Sequence, residues 1–498
     1  MKASRRDILA ATAAAGSLAA LGGCEKLVSK ATERLGQTVP DSVKVPDGVE
    51  IDPAHHLLNR AGFGPWPGDV EQVRAMGETQ WIDQQLDPKS IRDDLCEMRA
   101  GRCQTYDEPA GECFEFSKET LRRDVARYSL LRAIYSKRQL FEAMVGFWTD
   151  HLNVNIEKGK CIYLKPADDR EVVRKHALGK FRDLIRASAT SPAMLIYLDG
   201  NENAWAKEGD VPNENYGREL LELHTLGVHG GYSQQDVKEA ARALTGWRMR
   251  TGFRKGSVYF DEKRHDGREK KVLGHVIPAG GKEKDIDDLV DIACRHPSTA
   301  THIATKLVRR FVSEDAPDSL VTKTAEVFRA SDGDIKQTVR TVLTSDEFKA
   351  SHGMKFKPPF RFVVSALRAV GADTHAHDAL IEYLTRMGQG VFQYPTPDGY
   401  PDKTSPWLGT LLWRWNFAFA LSAGGVPSVE APLPKLLAAV GATGDSPEVK
   451  LFEHFTGHAP TDEQRKALAE ATEGKPKGAE AAKELIGLII ASPSFQRY

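Results

Sequence analysis

The sequence lacks the short motifs that would name an activity. It has no Gly-x-Ser-x-Gly elbow, P-loop, Gly-x-Gly-x-x-Gly fingerprint, HExxH or CxxCH. These absences argue against α/β-hydrolases, nucleotide enzymes, Rossmann oxidoreductases and c-type haem proteins. Neither sign of charge is in excess. With 68 Lys and Arg against 69 Asp and Glu, the formal charge is −1, so there is no electrostatic footprint for nucleic acid. Past the N-terminus, no apolar run is long enough for a membrane helix. Cysteine is scarce, with six in 498 residues and none in CxxC spacing. Apolar residues make up 41% and charged residues 28%, which supports a soluble chain with a sizeable core.

What is present begins at the N-terminus. Ser4-Arg5-Arg6-Asp7-Ile8-Leu9 sets a twin-arginine pair before an Ala-rich apolar run that ends in Leu21-Gly22-Gly23-Cys24. The run from Leu9 to Leu21 is shorter than the roughly 20 residues a bilayer crossing needs. The pattern predicts a twin-arginine signal peptide with a lipobox over 1–24, lipidated at Cys24. Attachment to a bacterial membrane, in the periplasm or at the cell surface, would then rest on lipid. Residues 25–50, with Lys, Ser, Thr and two Pro, read as a tether.

From Ile51 onward the apolar spacing is helical, predicting a mainly α, multi-helical single large domain. A core domain is expected over 51–426 and a helical C-terminal appendage, packing back on it, over 427–498. Ser136-Lys137-Arg138-Gln139 and Ser233-Gln234-Gln235-Asp236 read as helix-capping starts. Ser257–Phe260 and Val272–Ile277 are expected to pair as a small β-hairpin around His265-Asp266-Gly267. His296 is expected to cap the helix that begins near Ser298. Ser345-x-x-Phe348 and Ser492-x-x-Phe495 repeat one helix-exit turn, and the Ser191 region is a looser copy. Cys96, Cys103 and Cys113 crowd a Gly-rich polar segment. Outside the cytoplasm a disulfide stapling that loop is the plain expectation, with a zinc site on the three thiols as the alternative. Cys294 reads as packing.

Chemistry concentrates in Asp199–Trp247. Taken as an α-helix, Tyr216 to Leu226 gathers Tyr216, Leu220, Leu223 and Leu226 on one face, with Glu219 among them and Glu222 at the edge. A carboxylate forced into an apolar face must be paired, protonated or metal-bound. Two readings stand for Glu219. Either it pairs with an arginine such as Arg60, Arg242, Arg309 or Arg310, or it acts with Glu222 as a general base or cation ligand. Oxygens of Asp199, Asn201, Asn203 and Asn215 would suit calcium or magnesium. His151, one turn beyond Trp148 on its helix face, is either a core histidine or a functional one. His265-Asp266 could serve a metal or close a turn.

Several pieces in order carry a family resemblance: His56-Leu57-Leu58-Asn59-Arg60-Ala61-Gly62-Phe63-Gly64, Phe147-Trp148-Thr149-Asp150-His151, Asn213–Trp247, His265-Asp266 with Leu273-Gly274, Lys355-Phe356-Lys357-Pro358-Pro359, Gly388-Gln389 and Ser492-Pro493. On these the chain resembles the bacterial family called domain of unknown function 1800, from about His55 to the C-terminus. Two departures from its pattern stand out. Thr149-Asp150 occupies a place where an amide commonly precedes the histidine, and His224 a place that is often aromatic. The resemblance implies export and a mostly helical body. It also implies a gene neighbour that looks like the sulfatase and alkaline-phosphatase fold. The expectation is therefore an exported, lipid-anchored envelope protein acting beside a sulfatase- or phosphatase-like partner. The rival is a metal-dependent hydrolase or carbohydrate-active enzyme. In the rival, Glu219, Glu222 and His151 carry catalysis, while Glu219, Glu222, Asp199, His265 and Asp266 hold a divalent metal.

Overall fold

Apolar residues three and four apart write helices along most of the chain, and the computed structural model has them. It describes residues 49–442, 447–472 and 479–498. The expected signal peptide, Cys24 and all but the end of the expected tether lie outside these residues. Among the described residues there are 24 α-helices and three two-stranded sheets, and 61% of these residues are helical. The fold is mainly α, and Gly48–Tyr498 form one compact unit. No described helix is long and apolar enough to cross a membrane.

Local chemistry sets the helix starts. Ser233 caps Gln234–Ala243 through a reciprocal box with Asp236. His296 Nδ1 accepts the Ser298 N–H at 3.3 Å and opens Pro297–Phe311. Ser345 and Ser492 cap the N–H groups of Phe348 and Phe495 at 3.1 and 3.4 Å, so the repeated exit turn is one capping device used twice. Ser191 instead donates to Asp168 at 2.6 Å. Ser136 makes no box either. Its hydroxyl donates to Asp93 and accepts from the Arg138 N–H, and the helix opens at Gln139. The side chain of Gln139 reaches across to the Phe63 N–H at 2.9 Å.

The expected hairpin around His265 does not form. Val258–Phe260 pairs with Trp247–Met249, and Lys270–Val272 pairs with His275–Ile277. Contact between the rings of Trp247 and Phe260, 5.4 Å apart, ties the first pair. Leu273 and Gly274, both at positive φ, close the second. The expected disulfide is absent too. All five described cysteines are buried free thiols, each held in its own packing site.

Two apolar cores fill the body. One joins the N-terminal helices to residues 181–348, the other joins residues around 121–134 to the C-terminal helices. Gln139–His151 feeds both, with Met144, Phe147 and Trp148 on one side and Ala143 on the other. After residue 427 the helices Leu433–Ala439, Pro447–Thr456 and Asp462–Thr472 lead to Ala479–Ala491, which lies along Leu411–Ala423. The chain's last residues, Phe495 to Tyr498, are largely buried.

Candidate active site

The C-terminal end of Gln139–His151 is where charged side chains converge. Asn153 donates to the carbonyls of Tyr394 and Thr396, at 3.0 and 2.7 Å, and clamps the 394–402 loop over that end. The loop lies so close that a Cβ on Gly399 would come within 2.0 Å of the Asp150 carbonyl, at φ +75°. Only glycine allows this approach. The loop thereby brings the Tyr400 N–H onto the Asp150 carboxylate.

Asp150 is half-buried. Desolvation raises its pKa from 3.8 to about 7, against the pull of Arg310, the Tyr400 N–H and Lys306, while Asp402 adds to the rise. Near neutral pH it is an acid with a proton to give. Next to it His151 is fully buried, with Nε2 donating to the His224 carbonyl at 3.1 Å. That bond leaves Nδ1 as the acceptor for Lys306 Nζ at 2.9 Å. Burial, then Lys306, hold the imidazole well below its usual range, so it stays neutral. Lys306 itself is lowered to about 8 by burial, which outweighs Asp150, Asp402 and Asp398.

Asp150 and Arg310 also line a cavity of about 110 Å³. Its wall includes Asp169, Arg174, Arg361 and Glu142, with Phe360, Phe392 and Tyr400 as the apolar part. Asp169 begins a π-helical segment, Asp169–Arg174. Its Oδ2 accepts from Tyr106 at 2.6 Å and from Arg174 at 2.8 Å, while Oδ1 is buried without a partner. Glu142 is neutralised by Arg132 and Arg174, at 2.9 and 3.0 Å. A larger hollow of about 600 Å³, near His55 and Lys450, holds no such convergence of unpartnered charge.

The residues expected from sequence are placed unevenly. Tyr216–Leu226 is α-helical only to Glu219 and continues as a π-helix over Leu220–Thr225. The wider turn shifts the phase, so Leu223 leaves the buried face and His224 enters it. Glu219 is half-buried rather than enclosed, and none of the four arginines proposed for it supplies a salt bridge. Arg60 donates to the carbonyls of Phe311, Val312, Ser351 and Tyr498, and Arg242 pairs with Glu239 and Asp266. Partial burial, then Glu222, raise the pKa of Glu219. Glu222 accepts from Tyr232 at 2.7 Å. Asp398 lies within electrostatic reach of both Glu219 and Lys306, so Glu219 and His151 do border one region.

The expected metal set does not assemble. Asp266 is held by Arg242 and Arg268, both at 2.6 Å, and His265 meets Asp285 at 3.1 Å. Asp199 pairs with Lys158 at 3.0 Å. Asn201 and Asn203 spend their side-chain oxygens on the N–H groups of Met249 and Asn213. Among the described residues no three His, Cys, Asp or Glu side chains are grouped to hold an ion. Asp199 and Asp266 are each tied to a cation, and Glu222 accepts a tyrosine hydroxyl.

Lys306, Arg310, Arg361 and Asp169 were missed as site residues, and so was Asp150, which entered only through the family pattern. The first two had a legible sign: His302, Lys306 and Arg310 recur every four residues along one edge of Pro297–Phe311. Arg361 and Asp169 had none, because only the tertiary fold turns them toward the cavity.

A family model, described as Protein of unknown function (DUF1800), matches residues 56–497. No curated protein and no solved structure matches the chain.

Proposed function

Since the chain belongs to the DUF1800 family, whose description carries no activity, we propose from the site's own chemistry that it is an acid–base hydrolase of the bacterial envelope. The supporting observation is one cavity wall carrying two carboxyl groups in opposite conditions. Asp150 is desolvated toward its protonated form, and Asp169 is paired with Arg174 yet keeps one oxygen open. A carboxyl that holds its proton beside a second with an open oxygen can divide the roles of acid and base. Asp150 would protonate a leaving oxygen, and Asp169 would activate water or attack. Lys306, through His151, would hold positive charge behind the acid.

Purified protein should turn over at least one member of a panel of chromogenic aryl esters, phosphoesters and glycosides. Asp150→Asn should abolish that turnover while leaving the far-UV spectrum intact. A wild-type protein no faster than Asp150→Asn on every substrate would sink the reading. The envelope address rests on the twin-arginine and lipobox pattern, and the intact mass of the processed N-terminus checks lipidation at Cys24.

An accessory role beside a sulfatase- or phosphatase-like partner is the second reading. It is favoured by Leu95 and Met98, which stand more than half exposed three residues apart on Asp94–Ala100. Co-purification in mild detergent tests it, and a solitary monomer counts against it.

A further inference from the structure

The buried arginines differ in how fully their donors are used. Arg368, on the helix Pro359–Ala369, spends Nε on the Gly64 carbonyl, one terminal nitrogen on Ile134 and the other on Asp69. Arg361, two turns earlier on that helix, is different. One terminal nitrogen donates to the carbonyls of Asn59 and Gly62, but Nε and the second terminal nitrogen have no partner, although the residue is 2% exposed. Arg310 Nε is likewise buried and unpartnered. Both side chains line the cavity beside Asp150. Arg414 also lacks partners at two nitrogens, and like Arg361 it stacks on aromatic rings, but it is not part of the cavity wall.

A desolvated guanidinium with open donors is destabilising unless an anion meets it. Here neighbouring cations add to the cost. Burial, with Arg310 and Arg60, brings Arg361 down to about 10, against the pull of Tyr498 and Asp402, so it remains charged at neutral pH. Its planar fork matches an oxyanion in geometry as well as charge.

We propose that the Arg310–Arg361 side of the cavity is an oxyanion-binding site that receives a phosphate, sulfate or carboxylate group of the substrate. The assignment to substrate rests on the hydrolase reading above, whereas the anion site itself does not.

The test is thermal denaturation of the full chain in sodium phosphate, sulfate, acetate or chloride at matched ionic strength. At least one oxyanion should raise the melting temperature above the chloride value in a saturable way. Tetrahedral and planar groups are told apart by whether phosphate and sulfate or acetate do so. Arg310 donates to no backbone carbonyl among the described residues, so Arg310→Gln should spare the fold and raise the saturating concentration at least tenfold. Arg361→Lys should do the same if it folds, and if it does not, Arg310→Gln decides. Stabilisation no greater than chloride, or unchanged in Arg310→Gln, overturns the proposal. Oxyanion binding without turnover of any substrate leaves the site standing and removes only the hydrolase reading.

Discussion

Lys306 Nζ stands 2.9 Å from His151 Nδ1, an ammonium donating to an imidazole whose other nitrogen is tied to the His224 carbonyl. The neutral form of each partner is favoured by burial, and the lysine is brought to about 8. Acetylation of Lys306 by limiting acetic anhydride, followed by mass spectrometry across pH 6–11, should reach half its maximum near pH 8. Ordinary lysines do so near pH 10.4. A midpoint in the ordinary range would show that the amine is not desolvated.

Asp150 makes stability depend on pH in a stated direction. Its folded pKa, about 7, lies above the unfolded value of 3.8. The folded chain therefore holds the extra proton between those values. The stabilisation is complete below about pH 4 and is lost as pH rises through 7. Asp150→Asn cannot lose it and should exceed wild type above pH 7 by on the order of 2–4 kcal/mol. The two should converge near pH 4 in urea denaturation, and parallel curves would refute the assignment.

Gly217 sits where Glu214–Glu219 crosses Gln234–Ala243. An added Cβ would meet the Ala241 nitrogen at 2.8 Å and the Val237 carbonyl at 3.0 Å, both backbone atoms. Helix propensity alone would make Gly217→Ala stabilising by about 1 kcal/mol. The backbone clash should reverse that sign and cost roughly 1–3 kcal/mol, read as a lower denaturation midpoint.

Cys96, Cys103, Cys113, Cys161 and Cys294 are buried thiols, and burial pushes Cys96, Cys103 and Cys161 up to about 12. Native protein should react slowly with Ellman's reagent, and all five thiols should titrate only after unfolding. Reductant should leave the melting temperature unchanged. Fewer than five thiols in denaturant without reductant would restore the disulfide.

Legibility followed the range of the interaction. Ser233, His296, Ser345 and Ser492 act on N–H groups two or three residues away, so spacing along the chain was enough to place their caps. Helical periodicity is equally local, and the mainly α class followed from it. Strand pairing was harder, because Val258–Phe260 chose Trp247–Met249 over an equally near partner through a ring contact.

The site marks the boundary most clearly. From sequence, Glu219 was placed by assuming 100° per residue, and a π-helical turn over Leu220–Thr225 broke that phase. Such a turn depends on what packs around it, not on the residues alone. Amino-acid order by itself determined the helices, their caps and the side chains able to titrate. Tertiary structure alone decided which of these lost their water: it seated Gly399 against Asp150, turned Asp169 and Arg361 toward one cavity, and left Asp199, His265 and Asp266 with private partners. Desolvation is a property of surroundings, and surroundings here come from residues up to hundreds of positions apart.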